Sequence, residues 1–221
     1  MQIRLAKQSD IEQLAQVHWT CSTEQPGGFM FNLGRRFLRQ YYRIYLREKH
    51  SLILVADEEH GKLLGFHSGT LRAEEHVEAL RSSWLSLLIS ALPAVVRKPS
   101  LVREIYSRYR STARKADSDE YILKSGPRGE FWAWSSAHRD AGQAIHLHET
   151  WHAIMRHMGA KAVRSEVDRD NVRILRYARM MGAHVIKEIL TPDGRKRLIV
   201  EYVLEDYGVH RQRTEDPTLG I

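Results

Sequence analysis

The spacing of apolar residues in this chain switches repeatedly between every second residue and every third or fourth, and the order of those switches confines it to an α/β architecture. Gln2 to Ala6 alternates as a strand does. Ser9-Asp10-Ile11-Glu12 follows with the form of a capping box, in which Ser9 and Glu12 each satisfy a backbone donor. Ile11, Leu14, Ala15 and His18 continue at helical spacing. After a break at Gln25-Pro26-Gly27-Gly28, a second helix is predicted from Asn32 to Arg47, with Leu33, Phe37, Leu38, Tyr41, Ile44 and Tyr45 on one stripe. Ser51 to Ala56 and Leu63 to Leu71 read as a β-hairpin turned by a polar segment containing Gly61.

Residues 72–128 interrupt this pattern. Glu74 to Ala91 and Leu101 to Arg114 have helical character and are split by Pro93 and Pro99. A strand returns from Gly129 to Ala137, a helix opens near Gly142, and a strand follows from Lys161 to Val167. A helix then runs from Val172 to Met181 and stops at Gly182. Ala183 to Leu190 and Lys196 to Leu204 close as a hairpin around Thr191-Pro192-Asp193-Gly194. The order is therefore β-α-α-β-β, a helical insertion, then β-α-β-α-β-β. It predicts one domain over residues 1–204, with 72–128 inserted and 205–221 a polar tail.

Composition narrows the function classes. A chain of 221 residues with 43% hydrophobic and 28% charged residues can bury its own core. Its net charge of +7 suits anionic ligands as well as plain solubility. Cys21 is the one cysteine, which excludes an intrachain disulfide and a cysteine-rich metal site. The N-terminal residues lack the apolar core of a signal peptide, and the longest apolar-rich run, Trp84 to Val96, is shorter than the ~20 residues that span a bilayer. A cytoplasmic location is expected.

Two catalytic signatures overlap in residues 138–159. His148-Glu149-Thr150-Trp151-His152 has the form H-E-x-x-H, in which two imidazoles one helical turn apart share a metal and the Glu polarises its water. No third ligand stands at a familiar distance. An extended motif would need residues that are Met155 and Met158 here, and His157 is turned roughly 100° from the required direction. Ala144, Leu147, Trp151, Ile154 and Met158 mark the expected buried face, so His146, His148, His152 and His157 are expected as partly exposed side chains and no metal is expected. Arg139-Asp140-Ala141-Gly142-Gln143-Ala144 has the form R-x-x-G-x-A, between a strand and a helix. The first amides of a helix have no internal acceptors and sit at the positive end of its dipole, so such a turn suits a diphosphate.

With that turn in that element order, the sequence resembles the GNAT superfamily of N-acetyltransferases over most of the chain outside residues 72–128. The other residues carrying the resemblance are Gly159 closing its helix, the strand KAVRSEV, Asn171 just after it, and Gly182. The segment Leu33-Gly34-x-x-Phe37-Leu38-x-x-Tyr41-Tyr42, with a helical insertion after the third strand, is similar to a bacterial subgroup of that superfamily. The resemblance implies a mixed sheet splayed between its fourth and fifth strands, with acetyl-CoA as co-substrate in the gap. It implies that the backbone of Trp132, Ala133 and Trp134 pairs with the pantetheine amides, and that Arg139 and the amides of Asp140, Ala141, Gly142, Gln143 and Ala144 hold the diphosphate. Asn171 would stand near the pantetheine.

The same resemblance implies direct attack of an amine on the thioester. Glu130 is the candidate base, provided that burial raises its pKa; Ser135, Ser136 and His138 are further candidates. Where the family carries an acidic Tyr this chain has Ala178, with Tyr177 beside it and expected in the core or at its rim. Trp132 and Trp134 are larger than the residues expected near the thioester and narrow the acyl pocket.

The expected activity is therefore acetyl transfer to a primary amine of a small molecule, with an amino sugar or related metabolite favoured. A catalytically silent acyl-CoA-binding protein is the alternative, and a zinc peptidase the third reading. In the insertion, the basic residues of 97–115 read first as a solvated face, and nucleic acid is not expected as a partner. The apolar run from Trp84 to Val96 leaves intrachain packing, a homodimer and peripheral membrane contact open.

Overall fold

The computed structural model describes residues 1–23, 28–58, 61–113, 125–138, 140–191 and 194–205. The expected break at 25–27, the turn residues Glu59, His60, Pro192 and Asp193, and the tail beyond 205 lie outside them, as does Arg139.

Strands β1 (Gln2–Leu5), β2 (Ser51–Asp57), β3 (Leu63–Thr70), β4 (Arg128–Trp134), β5 (Ala162–Asp168), β6 (His184–Leu190) and β7 (Lys196–Val203) form one sheet in the order β1-β2-β3-β4-β5-β7-β6. Helices α1 (Ile11–Thr23) and α2 (Phe29–Tyr45) cover one face together with α4 (Trp84–Arg97), while α6 (Ala141–His157) and α7 (Val172–Met180) cover the other. β2 is apolar almost throughout because both its faces are covered: Ile53 and Val55 pack with α1 and α2, and Leu52, Leu54 and Ala56 with α6. The α2 stripe was read correctly, and Tyr42 joins it in the core. Every pairing in the sheet is antiparallel except β4 with β5. Those two strands meet only at Arg128↔Arg164 and Gly129↔Ser165, and then part. This is the splayed mixed sheet that the sequence predicted.

Several local expectations are corrected. The carboxylate that closes the turn before α1 belongs to Asp10, which accepts from the Lys7 amide at 2.7 Å and pairs with Arg4; Glu12 instead reaches Arg39 at 2.9 Å. In the inserted region α5 (Leu101–Ala113) matches the expected helix, Arg114 lying outside the described residues, whereas α3 (Ala73–Ser82) and α4 replace the single helix expected over Glu74 to Ala91, with the break at Ser83 and Pro93 inside α4. The buried face of α6 carries Met155 rather than Met158, because the helix ends at His157 and Met158 is its exposed C-cap. Gly159 then turns the chain at φ 92°. Among the described residues no single helix is long and apolar enough to cross a membrane. α4 does expose Leu85, Ile89, Leu92 and Val96 along one side.

A glycine fixes how closely α6 approaches the sheet. A Cβ on Gly69 would lie 2.2 Å from Trp151 Cζ2 and 2.4 Å from the Arg128 carbonyl oxygen. Trp151 is fully buried there and donates its indole N–H to the Leu52 carbonyl at 3.3 Å. Gly69→Ala is expected to destabilise the fold by about 2–3 kcal/mol through overpacking, measured as a shift in the urea midpoint at unchanged m.

Candidate active site

The parting of β4 from β5 coincides with an irregularity in β4. Gly129 stands opposite Gly69 and Phe131 opposite Ser68, so Glu130 is an extra residue with no cross-strand partner. Such a bulge bends the strand and re-aims its side chains. Glu130 and Phe131 consequently both turn toward α1 and α2, whereas Trp132 and Trp134 turn toward α6.

Around Glu130 the chain gathers a network whose other members the sequence did not suggest. Tyr41 donates its hydroxyl to Glu130, Arg128 forms an ion pair with it, and His76 Nε2 of α3 lies 3.2 Å from its Oε1. His76 is fully buried, and its Nδ1 is 2.9 Å from both carboxylate oxygens of Glu48. Burial alone would raise the Glu130 carboxyl, but Arg128, His76 and the hydrogen bonds outweigh it and hold the group below the usual carboxylate range. The expectation of a raised pKa is therefore corrected, because the residue is buried beside the Arg128 guanidinium and hydrogen-bond donors rather than in apolar surroundings.

Tyr41, His76, Arg128 and Glu130 line a cavity of about 440 Å³. Phe29, Phe31, Trp84 and Tyr109 give it an aromatic wall on the helical side, and Arg108 sits 4.3 Å over the ring of Phe29. Across the gap it reaches Glu166, Arg195 and Arg197 of the β5–β7 side.

Beyond Gly129, β4 has no pairing to β5, so one backbone edge of Trp132, Ala133 and Trp134 borders the gap. The Trp134 carbonyl accepts from the Cys21 thiol at 2.9 Å. Trp132 bridges the strand to both helices behind it, its ring 4.4 Å from that of His148 and 5.4 Å from that of Tyr177. α6 starts at the end of β4, near the gap. Asp140 is its N-cap: its Oδ1 accepts from the Gln143 amide at 3.0 Å, and its carbonyl from the Ala144 amide at 3.2 Å. Two of the five amides expected to face a diphosphate thus already have acceptors, and Ala141 and Gly142, both exposed, head the helix. Asn171 caps α7, with its side-chain oxygen 3.3 Å from the Ile174 amide.

No family model and no curated protein sequence matches this chain. Solved structures do. An N-acetyltransferase from Staphylococcus aureus Mu50 superposes with a TM-score of 0.59 at 13% identity, over 91% of this chain and 100% of that one. An acetyltransferase of the GNAT family from Desulfovibrio desulfuricans gives 0.55 at 10% identity, over 92% and 98%. A variant of the spermidine N-acetyltransferase SpeG from Vibrio cholerae gives 0.56 at 8% identity, over 97% and 100%. The chain has the GNAT fold.

Within this GNAT fold two of the four histidines of α6 are not where the sequence put them. His146 and His157 are exposed, but His148 and His152 are 4% and 1% exposed, on the face toward β3. Together with His67 of β3 they bring three ring nitrogens within 4.8 Å of one another. Glu149, the carboxylate of the H-E-x-x-H motif, is outside that group. The earlier expectation failed because the apolar stripe was centred one residue too far round the helix. Ala178 is buried, and the Tyr177 hydroxyl lies 3.3 Å from His148 Nδ1.

On the cavity side, His18 is buried against Phe131, its ring 4.4 Å away, and its Nδ1 is 2.6 Å from the Tyr42 hydroxyl. Desolvation pushes its pKa down to about 4, against a smaller opposing pull from Glu130. Between that value and the unfolded value of ~6.5, only the unfolded chain binds the proton, so stability is intact above ~6.5 and is lost as the pH falls toward about 4. His18→Gln is expected to remove up to one proton from that dependence, ~1.4 kcal/mol per pH unit in that window. Urea denaturation at a series of pH values reads the slope.

Proposed function

We propose that this chain transfers an acetyl group from acetyl-CoA to a primary amine of a small molecule. One observation carries the reading: a GNAT sheet parts between β4 and β5 where Glu130 bulges toward a cavity, and a helix N-terminus stands near the gap. Under it, the backbone edge of Trp132, Ala133 and Trp134 aligns the pantetheine, and Asn171 stands at the opposite bank. The amides of Ala141 and Gly142, with Arg139, take the diphosphate.

The amine enters from the aromatic side of the cavity. An ionised Glu130 attracts it as an ammonium, and the network of Tyr41, His76 and Glu48 fixes that carboxylate in place and offers a way out for the proton through water. The deprotonated amine then attacks the thioester carbonyl; as the tetrahedral intermediate collapses, its nitrogen gives up a proton to water and the departing CoA thiolate takes one from water, since thiols are acidic leaving groups (reference pKa about 8.5). Flat aromatic walls suit the apolar face of an amino sugar or a related metabolite. The spermidine acetyltransferase among the neighbours makes a linear polyamine a natural comparison substrate. We take residues 1–204 as one domain with 72–128 inserted and 205–221 as a tail, in a cytoplasmic protein.

A second reading, a silent acyl-CoA binder, is favoured by the bulk of Trp132 and Trp134 on the strand that borders the gap and by the negative charge of Asp140 at the diphosphate position. The test is release of CoA from acetyl-CoA across a panel of amino sugars and polyamines, beside calorimetry with acetyl-CoA. Turnover with one acceptor supports transfer; heat of binding without turnover supports the second reading; neither signal removes both.

A further inference from the structure

The three histidines gathered behind Trp132 have no part in the transfer chemistry. We propose that His67, His148 and His152 form a site for one divalent transition metal of the zinc class, tying β3 to α6. This stands apart from the acetyl-transfer reading and from a peptidase, since Glu149 does not join the donors.

The three imidazoles crowd together, with the rings of His67 and His148 nearly parallel. The ring centroids are separated by 4.8 Å for His67 and His148, 4.3 Å for His148 and His152, and 5.6 Å for His67 and His152. An ion ~2.1 Å from each nitrogen needs the nitrogens roughly 3.4 Å apart. The present spacing, within 4.8 Å, would have to close to that by rotation of the side chains when the ion binds. His148 and His152 stand one helical turn apart on α6, and His67 supplies from a strand the third ligand that the linear motif lacks.

The surroundings support ligation. His152 Nδ1 lies 3.0 Å from the His148 carbonyl, which places its proton on Nδ1 and presents Nε2 as a lone pair, the outer-shell arrangement that orients metal-bound histidines. The Tyr177 hydroxyl lies 3.3 Å from His148 Nδ1 and can accept from it in the same way when that nitrogen carries the proton. His67 is 3% exposed, and its Nδ1 is buried without a hydrogen-bond partner among the described residues. Buried polar atoms seldom go unpaired, so such an atom calls for an explanation. The indole Nε1 of Trp132, beside His148, is a second buried polar atom in that condition. An oxygen ligand completing a tetrahedral ion would accept from it.

The test uses the full chain, stripped with chelator and then titrated with Zn²⁺ or Co²⁺. One equivalent per chain is expected, with a rise in Tm and a Co²⁺ visible spectrum of nitrogen ligation. His67→Ala is expected to weaken binding about a hundredfold by removing one of three ligands, while His146→Ala, exposed on the same helix, leaves it unchanged. If His67→Ala does not fold, zinc-edge X-ray absorption of the unaltered chain decides, with three imidazole nitrogens at ~2.0–2.1 Å expected. Substoichiometric uptake, affinity unaffected by His67→Ala, or a zinc environment without three imidazoles would overturn the site.

Discussion

Replacing Gly142 with leucine is expected to lower the affinity for acetyl-CoA about a hundredfold, ~2.8 kcal/mol, without unfolding the chain. Among the described residues a Cβ at 142 meets only Asp140 Oδ1, at 3.3 Å, and leucine is the better helix former. The loss would therefore report the blocked approach of a diphosphate to the first amides of α6. Asp140→Ser sharpens the measurement. It keeps a capping oxygen while removing a negative charge from the anion's position, so affinity should rise severalfold at little cost to the helix. Calorimetry with acetyl-CoA, alongside thermal melts, gives both numbers. Unaltered affinity in the leucine variant would place the diphosphate elsewhere.

Glu130 carries the other large effect. Glu130→Gln should cut turnover about 10²–10³-fold with acetyl-CoA affinity preserved, as expected for a group that acts on the amine and its proton. Glu130→Ala should in addition cost about 3–5 kcal/mol of stability, because it removes the carboxylate facing the buried Arg128. The pH dependence has a definite sign. The folded carboxyl lies below its ordinary 4.5, so its contribution is complete above that value and disappears as the pH falls through the folded pKa. Turnover limited by this group should be level from pH 5 upward. An inflection near pH 6–7 that vanishes in Glu130→Gln would contradict the assignment of an already ionised carboxylate.

How much of this could be read from the residues depends on the range of the interaction. Apolar period and turn chemistry are local, so the strand and helix order, the α2 stripe and the turn at Gly194 were legible. The parted strands followed from the resemblance that this order carried. The bulge at Glu130 was not legible, because alternation is counted on the assumption that every residue has a partner across the ladder. For that reason its partners Tyr41, Arg128 and His76 were not anticipated; they come from three different elements. His67 escaped for the same reason. It lies far from His148 and His152 in sequence, and a search for a third ligand along one helix cannot find a donor on a neighbouring strand. Asp140 carries a local signal of its own. An Asp three residues before Gln143 is a good helix cap, and a capped amide is no longer offered to a ligand.

The inserted helices hold more than a wall of the cavity. His76 belongs to α3, and it is the link between Glu130 and Glu48. Trimming that segment to a short loop, as one might to reach a minimal scaffold, would sever the conduit as well as widen the entrance. Under the proposed mechanism, shape selection and charge handling are vested in one stretch of chain, and neither can drift without dragging the other along.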